Sequence, residues 1–342
     1  MDVTYVLPIR CPSRSRPRRD ERAPHRHDEL VASLRELADA GVEIVVVDNS
    51  DRATFAEHER AIGAFATHLE PTSSTANGKV ANVLTGLERA RHDAVILADD
   101  DVRHDVASVR ELARRLEDAD AVVPANVFEP MPWHARWDTG RTLLNRSFWF
   151  DYPGTLAVRR STILGAGGYD GGVLFENLEL LRTIRANGGR VRNAADVLVP
   201  RRPPSTSAFL GQRVRQAYDD LAQPLKLLAM LAVAPLVALA VVRRAWRALA
   251  IAIAGVIALG ELGRRRDGGA SAFPATAALW SPLWLGERGV CVWIALARRL
   301  AFGGVRYGGS RLRRAATPMR ELRRRAQSPA VALDVDREGA AA

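Results

Sequence analysis

The chain has 342 residues and a formal net charge of +10, which is long for one domain and predicts a core of about 200 residues plus a smaller unit. Only Cys11 and Cys291 are present, far apart, so a disulfide framework and a cysteine metal site are excluded. No nucleic-acid recognition motif accompanies the positive charge, and its arginines bracket apolar runs, which points to an anionic membrane and not to nucleic acid.

Val3 to Ile9 reads as a buried strand, followed by a Pro-, Ser- and Arg-rich loop up to Asp28. The apolar start is too short for a secretory signal and lacks a basic flank, so the first domain is expected in the cytoplasm. Leucines at 30, 34 and 37 predict an amphipathic helix over 28–40, closed by Gly41. VEIVVVDNS is then a strand of consecutive β-branched residues ending in Asp48, the texture of a central parallel strand. Helices over 55–65 and 79–90, a strand DAVILADDD, a helix over 106–116 and a strand AVVPA continue the alternation. The pattern predicts an α/β doubly wound sheet, with ligands at the carboxyl ends of its strands, where Asp48 and Asp99 to Asp101 fall.

The alternation stops at Asn126. The stretch to Tyr152 is dense in aromatics: Phe128, Trp133, Trp137, Phe148, Trp149, Phe150 and Tyr152. A short strand GTLAVRR, a glycine-rich turn GAGGYDGG, a helix from Glu176 to Ala186 and an amphipathic helix over 207–221 complete the first domain, assigned to residues 1–222. Membrane-associated helices are expected over 223–300. The uncharged runs Leu227–Val242 and Ala248–Gly260 fall short of the roughly 20 residues of an upright span, and are expected to form a hairpin. Ala270–Ala297 is long enough but carries Glu287, Arg288 and two prolines; it reads as a span with an internal ion pair or as a broken interfacial helix. Residues 301–342 read as a basic juxtamembrane segment and a disordered tail.

Three adjacent carboxylates repel one another, so Asp99, Asp100 and Asp101 at a strand end point to a hard cation. A solvated turn capping the next helix is the alternative. Lys79 reads as a solvated first-turn lysine, with a nucleotide-side role as the other option. Trp133 and Trp137, four apart on a helix, suit packing more than an acceptor platform.

Taken in order, VLPIR, VVVDNS, NGKVANVLTGLERARHDAVILADDDVR and GTLAVRRSTILGAGGYD resemble glycosyltransferase family 2, inverting enzymes of the GT-A fold, over about residues 3–222. The resemblance implies that Pro8, Asp48, Lys79, Asp99 and Asp100 serve the nucleotide-sugar donor, with Asp48 at the base. It implies that Asp99 and Asp101 hold the donor diphosphate and its Mg²⁺ or Mn²⁺. The family's Glu-Asp pair matches FENLEL, which keeps Glu176 as candidate general base, with Glu179 and Asp170 behind it, and puts Asn177 in place of the second carboxylate. An N-terminal helix carboxylate complementing the dipole is the other reading of Glu176. The Gln-x-x-Arg-Trp motif of processive members matches QRVRQ, keeping Gln212 and Arg215 but with Gln216 for the tryptophan. Arg215 reads as a second catalytic cation or as a membrane-surface arginine.

The expectation is a metal-dependent glycosyltransferase at the cytoplasmic face of the cell membrane that transfers a sugar from a nucleotide-diphosphate donor to a lipid or lipid-linked acceptor. A processive polysaccharide synthase and an inactive membrane scaffold of the same fold are the competing readings, the second kept alive by Asn177.

Overall fold

A computed structural model of the protein describes residues 1–9, 23–148, 153–307 and 310–327. Cys11, most of the basic loop, Trp149, Phe150, Tyr152 and the tail beyond 327 lie outside the described residues. The elements run β1 (Val3–Ile9), α1 (Ala23–Asp39), β2 (Glu43–Asp48), α2 (Arg52–Ile62), β3 (Thr67–Leu69), α3 (Gly78–Arg89), β4 (Ala94–Ala98), α4 (Val106–Arg115) and β5 (Ala121–Phe128). Then come α5 (Trp133–Ser147), β6 (Thr155–Arg159), α6 (Arg160–Gly165), α7 (Glu176–Ala186), β7 (Val191–Arg201) and α8 (Thr206–Ala217). The remainder is α9 (Pro224–Val242), α10 (Trp246–Arg265), α11 (Ser281–Phe302), a small hairpin β8 (Val305–Tyr307) and β9 (Ser310–Leu312), and α12 (Met319–Gln327).

Seven strands form one sheet in the order β3-β2-β1-β4-β6-β5-β7. Alternation along each strand sorts side chains to two faces. Tyr5, Leu7, Ile44 and Val46 join Leu34 and Leu37 of α1 and Val109 and Leu112 of α4. Val6, Val45 and Val47 join Val80, Val83 and Leu87 of α3 and Leu180 and Ile184 of α7. Helices therefore cover both faces, as expected. Two points differ from expectation. β6 pairs antiparallel with both β4 and β5, so the sheet is mixed. The strand β7 was not foreseen; it lies at the sheet edge, its register against β5 shifts at Pro124/Ala125, and its burial follows no clean period of two.

The apolar helices grow out of this domain. α9 is 19 residues long with no buried residue, a rise of about 28 Å. It turns at Arg243–Ala245 into α10, and both are long and apolar enough to cross a membrane. α10 extends beyond the uncharged run read from sequence, because its last turns dock on α5. A Cβ on Gly263 would stand 1.9 Å from the Leu143 carbonyl oxygen, so only glycine permits that approach. Buried Arg146 locks the junction, donating to the carbonyls of Ala195, Gly263 and Arg266. The third stretch breaks before Ser281, and α11 buries one face, through Trp284, Arg288, Cys291, Val292 and Ala295, while Val290, Ile294 and Leu300 stay exposed. Its Glu287 and Arg288 do not pair with each other. Glu287 binds Arg213 of α8, and Arg288 binds Asp220.

The segment after α11 returns to the first domain. Leu174 and Phe175 N–H groups donate to the Arg314 and Ala315 carbonyls, and the Thr317 N–H donates to Glu179. Residues 314–317 of the basic segment are therefore packed against the loop and helix that carry Glu176.

Candidate active site

The carboxyl ends of β1, β2 and β4 open into a cavity of about 570 Å³, a size suited to a small ligand. Pro8, Asn49 and Asn82 line it from the β1–β2 side. Gln212, Arg215, Lys226, Arg288 and Tyr307 line it from the helical side, and Asp99, Asp100, Asp101, Lys79, Glu176 and Arg201 lie between these groups.

Lys79 sits in the first turn of α3 because Asn77 caps that helix, its Oδ1 accepting from the Lys79 N–H at 3.3 Å. The same fully buried asparagine donates from Nδ2 to the Val173 carbonyl at 3.0 Å, tying α3 to the loop that leads into α7. One tether thus sets Lys79 and Glu176 face to face. Lys79 Nζ lies 2.6 Å from Glu176 Oε1 and 2.5 Å from Asp99 Oδ1. The solvated-lysine reading is therefore corrected: Lys79 bridges two carboxylates in the cavity. Opposite it, Arg201 at the end of β7 donates from Nε to Asp101 at 2.9 Å and from Nη2 to Asp99 at 3.2 Å. Gly154 makes room, since a Cβ there would fall 2.7 Å from Asp99 Oδ2 and 2.9 Å from the Arg201 guanidinium.

The model of "Glycosyl transferase family 2" matches residues 23–176 of this sequence. Residues 23–176 thus resemble a family 2 glycosyltransferase domain. Among solved structures, it is similar to the mannosyltransferase PcManGT from Pyrobaculum calidifontis, determined in complex with GDP-Man and Mn²⁺. The two share 18% identity over 88% of this chain and 87% of that one, with a TM-score of 0.55. TarS of S. aureus matches at 14% identity over 65% of this chain and 40% of that one, with a TM-score of 0.39. No curated protein matches the sequence. The match makes the protein a glycosyltransferase, and the cavity at its strand ends is the place to seek the chemistry.

Electrostatics in the glycosyltransferase cavity are unevenly balanced. Burial pushes the Asp99 carboxyl up, but Lys79 and Arg201 outweigh it and hold it below the ordinary carboxylate range. Burial, with the neighbouring Asp99 charge, keeps Asp101 above that range in spite of Arg201. Burial alone would lower Lys79, yet Asp99 and Glu176 raise it well above its usual value, so it stays charged. Four carboxylates, Asp99, Asp100, Asp101 and Glu176, thus face two cations, Lys79 and Arg201. These carboxylates cluster hard oxygen donors of the kind a divalent cation takes, within a lining whose other charged groups include Arg215, Lys226 and Arg288.

The candidates raised from sequence separate clearly. Pro8, Lys79, Asp99, Asp100, Asp101, Glu176, Gln212 and Arg215 all line the cavity. Asp48 does not. It is fully buried, with Oδ1 accepting from the Ser50 N–H and Oδ2 against His58 and His68, while its neighbour Asn49 faces the cavity. Glu179 is fully buried against Thr317, and Asp170 pairs with Arg325; neither lines the cavity. Asn177 lines it and donates from Nδ2 to the Pro153 carbonyl at 3.0 Å. Trp133 and Trp137 pack with Phe209, as expected for neighbours on a helix. Arg215 lies 5.3 Å over the Tyr307 ring.

Arg201, Lys226, Arg288 and Tyr307 escaped sequence reasoning. Arg201 is one of the arginines near the apolar runs, which read as membrane-facing charge; the signal that finds it is local to the end of β7, where Val197 and Val199 point into the core and Arg201 follows two residues on.

Proposed function

We propose that the enzyme is a metal-dependent inverting glycosyltransferase that moves one sugar from a nucleotide-diphosphate donor to a lipid or lipid-linked acceptor at the cytoplasmic membrane face. The observation that carries this reading is a single cavity that joins Asp99, Asp101, Lys79, Glu176 and Arg201 to Lys226, in the first turn of the apolar helix α9, and to Arg288 on the buried face of α11. A lipid acceptor reaches such a cavity by moving along the bilayer surface.

Pro8, Asn49, Lys79, Asp99 and Asp100 bind the donor, with Asp48 acting from behind by holding the turn that presents Asn49. Asp99 and Asp101 would hold Mn²⁺ or Mg²⁺, which supplies positive charge to the departing diphosphate. Lys79, Arg201 and Arg215 add fixed positive charge around the same oxygens, and Gln212 orients the pocket wall beside Arg215. The acceptor hydroxyl attacks the anomeric carbon from the side opposite the diphosphate. A carbon–oxygen bond forms there as the bond to the diphosphate oxygen breaks, and Glu176 takes the hydroxyl proton. Of the three carboxylates considered for that role, only Glu176 faces the cavity. Gln216 stands where processive relatives keep tryptophan, which favours single addition.

Thermal unfolding of the detergent-purified protein against a panel of nucleotide-diphosphate sugars with Mn²⁺ tests the reading. One donor class should raise the melting temperature only when Mn²⁺ is present, because binding to the native state stabilises it. A panel with no shift, with or without Mn²⁺, contradicts it.

A further inference from the structure

The sheet gathers a second set of ligating groups at the strand end that stays out of the cavity. His58 Nδ1 of α2 lies 2.7 Å from Asp48 Oδ2, and His68 Nε2 of β3 lies 3.2 Å from the same oxygen. Asp48 is fully buried, and the His58 and His68 side chains are 8% and 0% exposed. The Ser50 N–H holds Asp48 Oδ1 at 2.9 Å, which fixes the carboxylate toward the two imidazoles. On its other side His68 places Nδ1 2.6 Å from Glu59 Oε2.

That last contact poses a bonding problem. A neutral imidazole carries one N–H and one lone pair, so His68, with a carboxylate oxygen against each nitrogen, satisfies only one of them. A cation between His68 Nε2 and Asp48 Oδ2 removes the conflict and leaves Nδ1–H to donate to Glu59. A carboxylate behind a ligating histidine is the usual way such a ring is oriented. We propose that Asp48 Oδ2, His58 Nδ1 and His68 Nε2 bind a zinc-class divalent cation, with Glu59 positioning His68. The three donor atoms lie within 4.8 Å of one another, and ligand atoms around a tetrahedral ion with bonds of about 2.0 Å sit roughly 3.3 Å apart, so small side-chain rotations complete the site. Two imidazoles select zinc over the hard cations that suit the all-oxygen set at Asp99 and Asp101. The ion would clamp β2, α2 and the three-residue edge strand β3, fixing the turn behind Asn49. An imidazolium at His68 is the competing answer to the same conflict, and it needs no metal.

Cobalt, which mimics zinc and absorbs visibly when tetrahedral, separates the two. The full-length protein in detergent is stripped with chelator and carries Asp99→Asn and Asp101→Asn to silence the carboxylate site. Titration with Co²⁺ should give an intense tetrahedral absorption that saturates at one equivalent and is displaced by Zn²⁺. His58→Gln or His68→Gln should abolish the band, and Glu59→Gln should weaken Co²⁺ affinity about 10-fold. Where a histidine variant fails to fold, slower modification of histidines by diethyl pyrocarbonate on adding Zn²⁺ reads the same site in the parent. No absorption band with no Zn²⁺ protection, or a band unchanged in a folded His58→Gln or His68→Gln protein, would overturn the proposal.

Discussion

Asp48 and Asp99 close neighbouring parallel strands on either side of β1, yet one is sealed and the other is open. Two imidazoles from the next 20 residues fold over Asp48. Asp99 meets a lysine, an arginine and a glycine whose missing side chain leaves a cavity beside it. A strand end thus marks where polar chemistry collects, while the partners that arrive there decide whether a carboxylate faces a ligand or supports the backbone from behind.

The largest effect should come from the open end. Asp101→Asn removes a candidate metal ligand from the carboxylate cluster, and turnover should fall about 10³-fold or more as metal-dependent donor binding disappears. Calorimetric Mn²⁺ affinity equal to the parent's would break the distinction between the two ends. Glu176→Gln comes next, with turnover lowered about 10²-fold and donor affinity nearly kept, since a general base acts on the chemical step. Asp170→Asn, outside the cavity, should stay within about 2-fold of the parent; the reverse ranking would move the base to Asp170.

A third test concerns the packing behind Asp99 to Asp101. His104 is buried between Ser108 and Thr155, and burial lowers its pKa to about 4, against about 6.5 when unfolded. The unfolded chain takes up the proton first as pH falls. The stability held by neutral His104 is therefore complete above about pH 6.5 and is lost between 6.5 and 4, by about 3 kcal/mol in all. Urea midpoints at pH 7 and 4.5 should converge in His104→Gln relative to the parent; equal pH dependence in both would contradict this. The smallest effect should be that of Asn177→Asp. It loses the amide that donates to the Pro153 carbonyl and should cost about 1 kcal/mol without raising turnover. An increase in turnover would show that the second carboxylate of the family pattern fits this site after all.

Much of this was legible in local sequence. Continuous β-branched runs gave β2 and β4 away, leucine spacing marked α1, and the aspartate triplet pointed to the cavity. What stayed hidden depends on distant pairing. Lys79 looks solvated until β4 and α7 bring Asp99 and Glu176 to it. Arg201 looks like membrane-facing charge until β7 is placed in the sheet. Glu287 and Arg288, adjacent in an apolar run, look like a pair but serve Arg213 and Asp220 on the catalytic side. Tyr307 arrives only because the chain beyond α11 folds back beside α7. Asp48 misleads for the opposite reason: its burial comes from His58 and His68, which carry no periodic signal.

The most direct test of the open strand end is sugar transfer itself. Detergent-purified enzyme is given labelled nucleotide-diphosphate sugars, a membrane lipid extract and Mn²⁺, and label is counted in the organic phase. Lipid-extractable product is expected from one donor class, abolished by chelation, restored by added Mn²⁺ and absent with Asp101→Asn. Transfer that survives both chelation and Asp101→Asn would contradict this expectation.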